Sequence, residues 1–178
     1  RLKSTDAGMS WQRVGATTLP QLLPEEYGFA ASGTGIVTLG EQQVWVATGG
    51  DAARIFHSAD GGLRWTVTKS PVSAGKSSAG IFSIAFRDAK NGVAVGGDYL
   101  QPQVDEGNIA YTQDGGQTWN LVKNDPPIFH KACVLHLEAS AYLATGRTGS
   151  ALSRDDGKTW EIIDATSYYC ATFDATSG

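Results

Sequence analysis

An eight-residue phrase occurs four times in this chain and leaves little freedom for the fold. It reads Ser4-Thr5-Asp6-Ala7-Gly8-Met9-Ser10-Trp11, then Ser58-Ala59-Asp60-Gly61-Gly62-Leu63-Arg64-Trp65. It returns as Thr112-Gln113-Asp114-Gly115-Gly116-Gln117-Thr118-Trp119 and as Ser153-Arg154-Asp155-Asp156-Gly157-Lys158-Thr159-Trp160. The common pattern is Ser/Thr-x-Asp-x-Gly-x-x-Trp. Successive tryptophans stand 54, 54 and 41 residues apart. A fixed phrase at a near-fixed interval means stacked supersecondary units, each too small to bury its own apolar face.

The text between phrases reads as short strands. After the second phrase, Arg64 to Thr68 alternates and is rich in β-branched residues. Ile81 to Phe86 and Val93 to Val95 follow, separated by the turn residues Asp88 to Gly92, and Asn108 to Thr112 leads into the third phrase. Runs of this kind bounded by Gly, Asn, Asp and Pro are strand signals. The other intervals follow the same grammar: Phe29 to Leu39, Gln43 to Thr48 and Arg54 to Ser58 in one, Lys131 to Leu137, Ala141 to Thr145 and Ser150 to Ser153 in another. The one helix-like hint, Gln21 to Glu26, is cut short by Pro20 and Pro24. Four antiparallel strands per repeat predict an all-β β-propeller, with the phrase in the turn between the third and fourth strands of a blade. There Asp accepts backbone N–H groups, Gly supplies a positive φ, and Trp offers an apolar face to the neighbouring blade. The structural residues are thus Asp6, Gly8 and Trp11; Asp60, Gly62 and Trp65; Asp114, Gly116 and Trp119; and Asp155, Gly157 and Trp160.

The phrase resembles the Asp-box, or bacterial neuraminidase repeat, of sialidases, other glycoside hydrolases, sortilin-type receptors and photosystem II assembly-factor-like propellers. The Asp-Gly-Gly-x-x-Trp form and the ends Gly49-Gly50-Asp51 and Gly96-Gly97-Asp98 look most like the assembly-factor group. That resemblance implies a structural role for the phrase, a binding face on the opposite side, and an extracytoplasmic protein that aids a membrane-associated complex.

The expected layout is the end of a blade at 1–18, blades at 29–70, 80–124 and 131–166, and the start of another at 167–178. Propellers typically close with about four to eight blades. The reading is therefore a partial propeller, completed by a longer chain or by another copy. A compact four-bladed closure would need the two end pieces to pair into a thin blade.

Composition narrows function further. The formal charge of -4, with no basic tract, excludes a nucleic-acid partner, and no apolar run is long enough for membrane insertion as a helix. On the face carrying the second-to-third strand loops, the candidates for touching a ligand or partner are Asp51, Arg54, Asp98, Tyr99, Asp105, Glu106, His130 and Arg147. The Asp98–Gly107 loop is the longest of its type, and long loops on rigid scaffolds carry function. Asp51 and Asp98 read as equivalent blade positions, so they are either an acid/base pair or two copies of a turn cap; the second reading is preferred. Arg54 and Arg147 offer bidentate forks for a carboxylate.

No cofactor and no metal are expected. His130, Cys133 and His136 sit on one strand with the cysteine facing away from the histidines. Cys133 and Cys170 lie in first strands of adjacent blades, seemingly one residue out of register, and a disulfide is not favoured. All tryptophans but Trp45 belong to the phrases, which leaves no spare tryptophan platform for sugar. The sequence thus favours a non-enzymatic protein-binding scaffold over a glycoside hydrolase or carbohydrate-binding propeller.

Overall fold

A computed structural model describes residues 2–13, 20–30 and 33–173. All regular structure among them is β, most of it in three four-stranded antiparallel blades set side by side. The first blade comprises β4 (Ile36–Leu39), β5 (Gln43–Ala47), β7 (Arg54–Ser58) and β8 (Thr66–Lys69). The second has β9 (Lys76–Phe86), β10 (Gly92–Asp98), β11 (Ile109–Thr112) and β12 (Asn120–Leu121). The third has β13 (Cys133–His136), β14 (Tyr142–Gly146), β15 (Gly149–Ser153) and β16 (Glu161–Asp164). Ahead of them β1 (Leu2–Lys3) and β2 (Gln12–Arg13) form a separate hairpin around the first phrase.

The structure settles two local readings. Gln21 to Glu26 is not helical; β3 (Glu26–Tyr27) pairs with β6 (Gly49–Gly50), and β6 pairs with β9. The second sheet is thereby six strands wide. Of the described part of the expected strand Phe29 to Leu39, Ile36–Leu39 is strand. Among the described residues nothing forms a thin fourth blade: the β1–β2 hairpin pairs with no other strand, and residues 167–173 contribute none.

The phrases share one geometry. The leading hydroxyl (Ser4, Ser58, Thr112, Ser153) donates to the aspartate at 2.7–2.9 Å. It accepts the N–H of Gly8, Gly62, Gly116 or Gly157 at 2.7–3.0 Å. The aspartate accepts the N–H four residues on, from Ser10, Arg64, Thr118 or Thr159, at 2.8–2.9 Å. Its second oxygen takes the hydroxyl of Ser10, Thr118 or Thr159 at 2.6–2.7 Å, a contact Arg64 does not supply in the second phrase. These bonds hold all four carboxyls below the usual aspartate range, Asp6 at about 2.

The third and fourth phrases lean on the second strand of the preceding blade. In the third phrase, Gly115 carbonyl accepts Trp45 Nε1–H at 2.9 Å. In the fourth, Gly157 lies against Val93, which is opposite the third strand exactly where Trp45 is in its own blade. Strand β10 is buried on both faces. Ala94 joins the core between blades one and two, with Trp45, Ile55, Ile84 and Phe86. Val93 and Val95 join the core between blades two and three, with Ile109, Tyr142, Ala151 and Trp160. The phrase tryptophans record which faces are covered. Trp160 is buried and Trp119 packs against the first core. Trp65 lines an apolar cleft of about 580 Å³ with Leu22, Ile36, Val46 and Phe56, and Trp11 is 60% exposed.

At Gly157, φ is +80° and an added Cβ would collide with Val93. The expected cost of Gly157→Ala is about 2–4 kcal/mol, combining left-handed strain with overpacking. A urea midpoint unchanged from wild type would show that the close approach does not limit the packing.

Candidate functional site

Strand register places the blades on one frame. Val44, Gly92 and Tyr142 each lie opposite the leading hydroxyl residue of a phrase. Four residues farther on, the carbonyls of Thr48, Gly96 and Gly146 accept the N–H groups of Ile81, Lys131 and Tyr168 at 3.1–3.2 Å. These bonds stitch each blade to the segment that follows it. They make Phe82, Ala132 and Tyr169 equivalent, and likewise Ser83, Cys133 and Cys170.

Two sequence readings are corrected by this frame. Cys133 and Cys170 are in register, yet both are free thiols, the first buried and the second exposed. Asp51 and Asp98 are not equivalent: Asp98 stands six residues beyond Gly92, and the residue six beyond Val44 is Gly50. The similar letters Gly-Gly-Asp conceal a one-residue slip. Asp51 is exposed and makes no side-chain hydrogen bond among the described residues, so it does not cap the turn as expected.

Asp98 does serve as a cap. It is buried, accepts Leu100 N–H at 2.9 Å and pairs with Lys76 at 3.2 Å. Burial opposes its charge, but the Ser78 hydroxyl, the Leu100 amide and Lys76 outweigh that and hold the carboxyl below its ordinary range. Nearby, Arg147 is exposed and donates to the Tyr99 carbonyl at 3.3 Å. Lys131 is buried and donates to Thr148 Oγ1 at 2.8 Å, and Thr148 donates to the His130 carbonyl at 2.8 Å. Burial pushes the Lys131 ammonium down to about 8.

His130 is not a surface residue as expected: it is 2% exposed. Its ring meets Phe82 edge-on at 4.8 Å, and among the described residues neither ring nitrogen has a hydrogen-bond partner. Burial, then Lys131 and Arg147, push it down to about 4, with Asp98 pulling weakly the other way. His130, Tyr99 and Arg147 line a cavity of about 300 Å³ together with Phe29, Phe82, Ala132 and Tyr169.

The remaining candidates lie apart. Arg54 is bound to the buried Glu26 carboxylate, which also accepts Thr48 Oγ1–H at 2.6 Å, so its fork is already filled. Asp105 and Glu106 line a separate cleft of about 620 Å³ with Ser73 and Lys123. Among the described residues no cluster of His, Cys, Asp or Glu is arranged to hold a metal. Sequence reasoning missed Glu26, Phe82, Ala132 and Tyr169. The last three become visible only when repeats are aligned on strand register.

The BNR/Asp-box repeat profile matches residues 110–121, the third phrase with its flanking strand ends. The fold is that of an Asp-box β-propeller. Similar solved structures include YCF48 bound to D1 peptide, at 18% identity over 82% of this chain and 45% of that one, with a TM-score of 0.51. YCF48 from Cyanidioschyzon merolae matches at 16% identity over 80% of this chain and 38% of that one, TM-score 0.52. An ancestral GH74 enzyme matches at 20% identity over 91% of this chain and 21% of that one, TM-score 0.55. The propeller segment spans less than half the length of each of these structures. No curated protein sequence matches the chain.

The neutral, buried His130 sets a pH dependence. Its folded-state value lies below the ordinary 6.5, so the unfolded chain takes up the proton first. Stability is then lost as pH falls from 6.5 towards about 4, by up to about 3 kcal/mol. The expected result for His130→Phe is a flatter stability profile in that window. Equal slopes for variant and wild type in urea titrations between those limits would remove the assignment.

Proposed function

We propose that this propeller is a non-enzymatic scaffold that binds a protein partner through the mouth built from Tyr99, His130 and Arg147. The observation that carries this reading is the state of the carboxylates. A glycosidase needs two carboxyls flanking one bond, one of them kept protonated. Asp98 is instead held ionised by Lys76 and backbone donors, and Asp51 stands outside that cluster. What remains at the mouth is aromatic surface and an exposed guanidinium, the residue types that anchor protein contacts. The YCF48 structure with a bound peptide supports a fold of this kind holding a polypeptide segment.

On this reading the two open ends of the arc carry further blades, from the same chain or from another copy. The Trp65 cleft at one end and exposed Ile162 and Ile163 at the other are apolar faces of the sort blades bury against each other. An extracytoplasmic location, aiding assembly or stability of a membrane-associated complex, fits the repeat type. Among the described residues no helix is long and apolar enough to cross a membrane.

The likeness to a GH74 enzyme keeps glycoside hydrolysis or carbohydrate binding as the second reading. One experiment separates them: the full chain is assayed against a glycoside panel and, in parallel, against an immobilised peptide array. Expected are no turnover by wild type and peptide binding that drops about tenfold or more in the Tyr99→Ala/Arg147→Ala variant, as for loss of an anchor pair. Turnover that disappears in Asp51→Ala or Asp98→Ala would install the hydrolase reading instead.

A further inference from the structure

The cavity beside His130 has an origin in the repeat itself. Inter-blade hydrogen bonds make Phe82, Ala132 and Tyr169 the same blade position. Aromatic rings fill that position on either side, whereas the third blade places only a methyl group there. Ala132 is buried at the wall of the resulting space, 1% exposed. The gap is the volume of a missing ring. Its walls are the rings that an inserted ring would meet: Phe82 already stacks on Phe29 at 4.1 Å and meets Tyr99 edge-on at 6.1 Å. At about 300 Å³ the space has room for a benzyl or phenol group, since apolar cavities of about 150 Å³ accept benzene.

Charge at the rim is one-sided. Lys76 compensates Asp98, and Lys131 is tied to Thr148. Arg147 is exposed, and its one hydrogen bond among the described residues is to a neutral carbonyl. The uncompensated charge beside the cavity is therefore positive.

We infer that the space over Ala132 is the anchor pocket of the partner-binding mouth, and that it takes an aromatic side chain with a carboxylate beside it. The inference rests on the protein-binding reading above and specifies its ligand. The ring replaces the one the third blade lacks, and the carboxylate meets the Arg147 guanidinium as a bidentate, charge-assisted pair. A C-terminal carboxylate and an acidic side chain next to the aromatic share this chemistry.

The test follows the His130 ring-proton resonances of the full chain as small probes are added. N-acetyl-phenylalanine carries the terminal carboxylate, N-acetyl-aspartyl-phenylalanine amide a side-chain carboxylate, and N-acetyl-phenylalanine amide neither. N-acetyl-leucine is the non-aromatic control. Saturable ring-current shifts are expected with the phenylalanine probes, about tenfold weaker binding for leucine, and tighter binding for whichever acid form matches the natural source. Arg147→Gln should erase the advantage of the acid forms and leave the amide unaffected. Ala132→Phe restores the residue type of the preceding blade and should abolish every shift while the far-ultraviolet spectrum stays as in wild type.

No saturable shift up to the solubility limit, equal binding of leucine and phenylalanine, or binding undiminished in folded Ala132→Phe would overturn the inference. The peptide array keeps the two readings apart. Array peptides held equally by wild type and Ala132→Phe would overturn the pocket and leave partner binding in place. Probe binding with no array peptide captured would support the pocket's chemistry and overturn the protein-partner reading.

Discussion

Everything in this arc depends on the seat of an Asp-box turn on the second strand of the blade before it. Gly157 lies on Val93 as Gly116 lies beside Trp45, and both glycines hold a positive φ that a side chain resists. The hydroxyl–aspartate bonds inside each turn make it rigid enough to press against a neighbour. The tryptophan that follows then closes the space between the sheets, and its burial depends on whether a preceding blade is there. The gradient from buried Trp160 to exposed Trp11 is the same residue in four settings. A turn held by local hydrogen bonds is thus an inter-blade contact as well.

Much of this was legible in the sequence because the phrase fixes both strand ends of its own hairpin. Ser58 and Thr66 bracket a turn whatever surrounds them, and β7 and β8 follow directly. Legibility fails where the chain leaves its own sheet. Glu26 and Tyr27 pair with Gly49 and Gly50, partners more than twenty residues away that join them to the next blade. No local periodicity announces such a pairing. The carboxylate of Glu26 claims Arg54 for the same reason, and so removes a guanidinium that looked free.

The candidate site shows a second limit. Asp51 and Asp98 follow the same two letters, but hydrogen-bond register puts Gly50, not Asp51, where Asp98 stands. His130 and Arg147 were legible as residue types near the mouth, though not that the imidazole would be buried under a phenyl ring. The cavity was invisible because it arises from an absence. Ala132 is unremarkable in its own strand and informative only beside Phe82 and Tyr169.

The six-stranded width of the middle sheet has a mechanical side. Blades one and two are joined through a continuous run of backbone pairing, β9 to β6 to β3, reinforced by the buried Glu26–Arg54 pair. Blades two and three have no strand of that kind; their backbones meet at Lys131 and Gly96 and at His130 and Pro102, and side chains carry the rest, through Ser83 on Val134, Asn124 on Trp160 and the Arg87–Asp156 pair. The first joint is therefore built of continuous sheet and the second largely of side chains, and the mouth around His130 spans the second. Small rotations of the third blade would be felt first as changes in the width of that mouth.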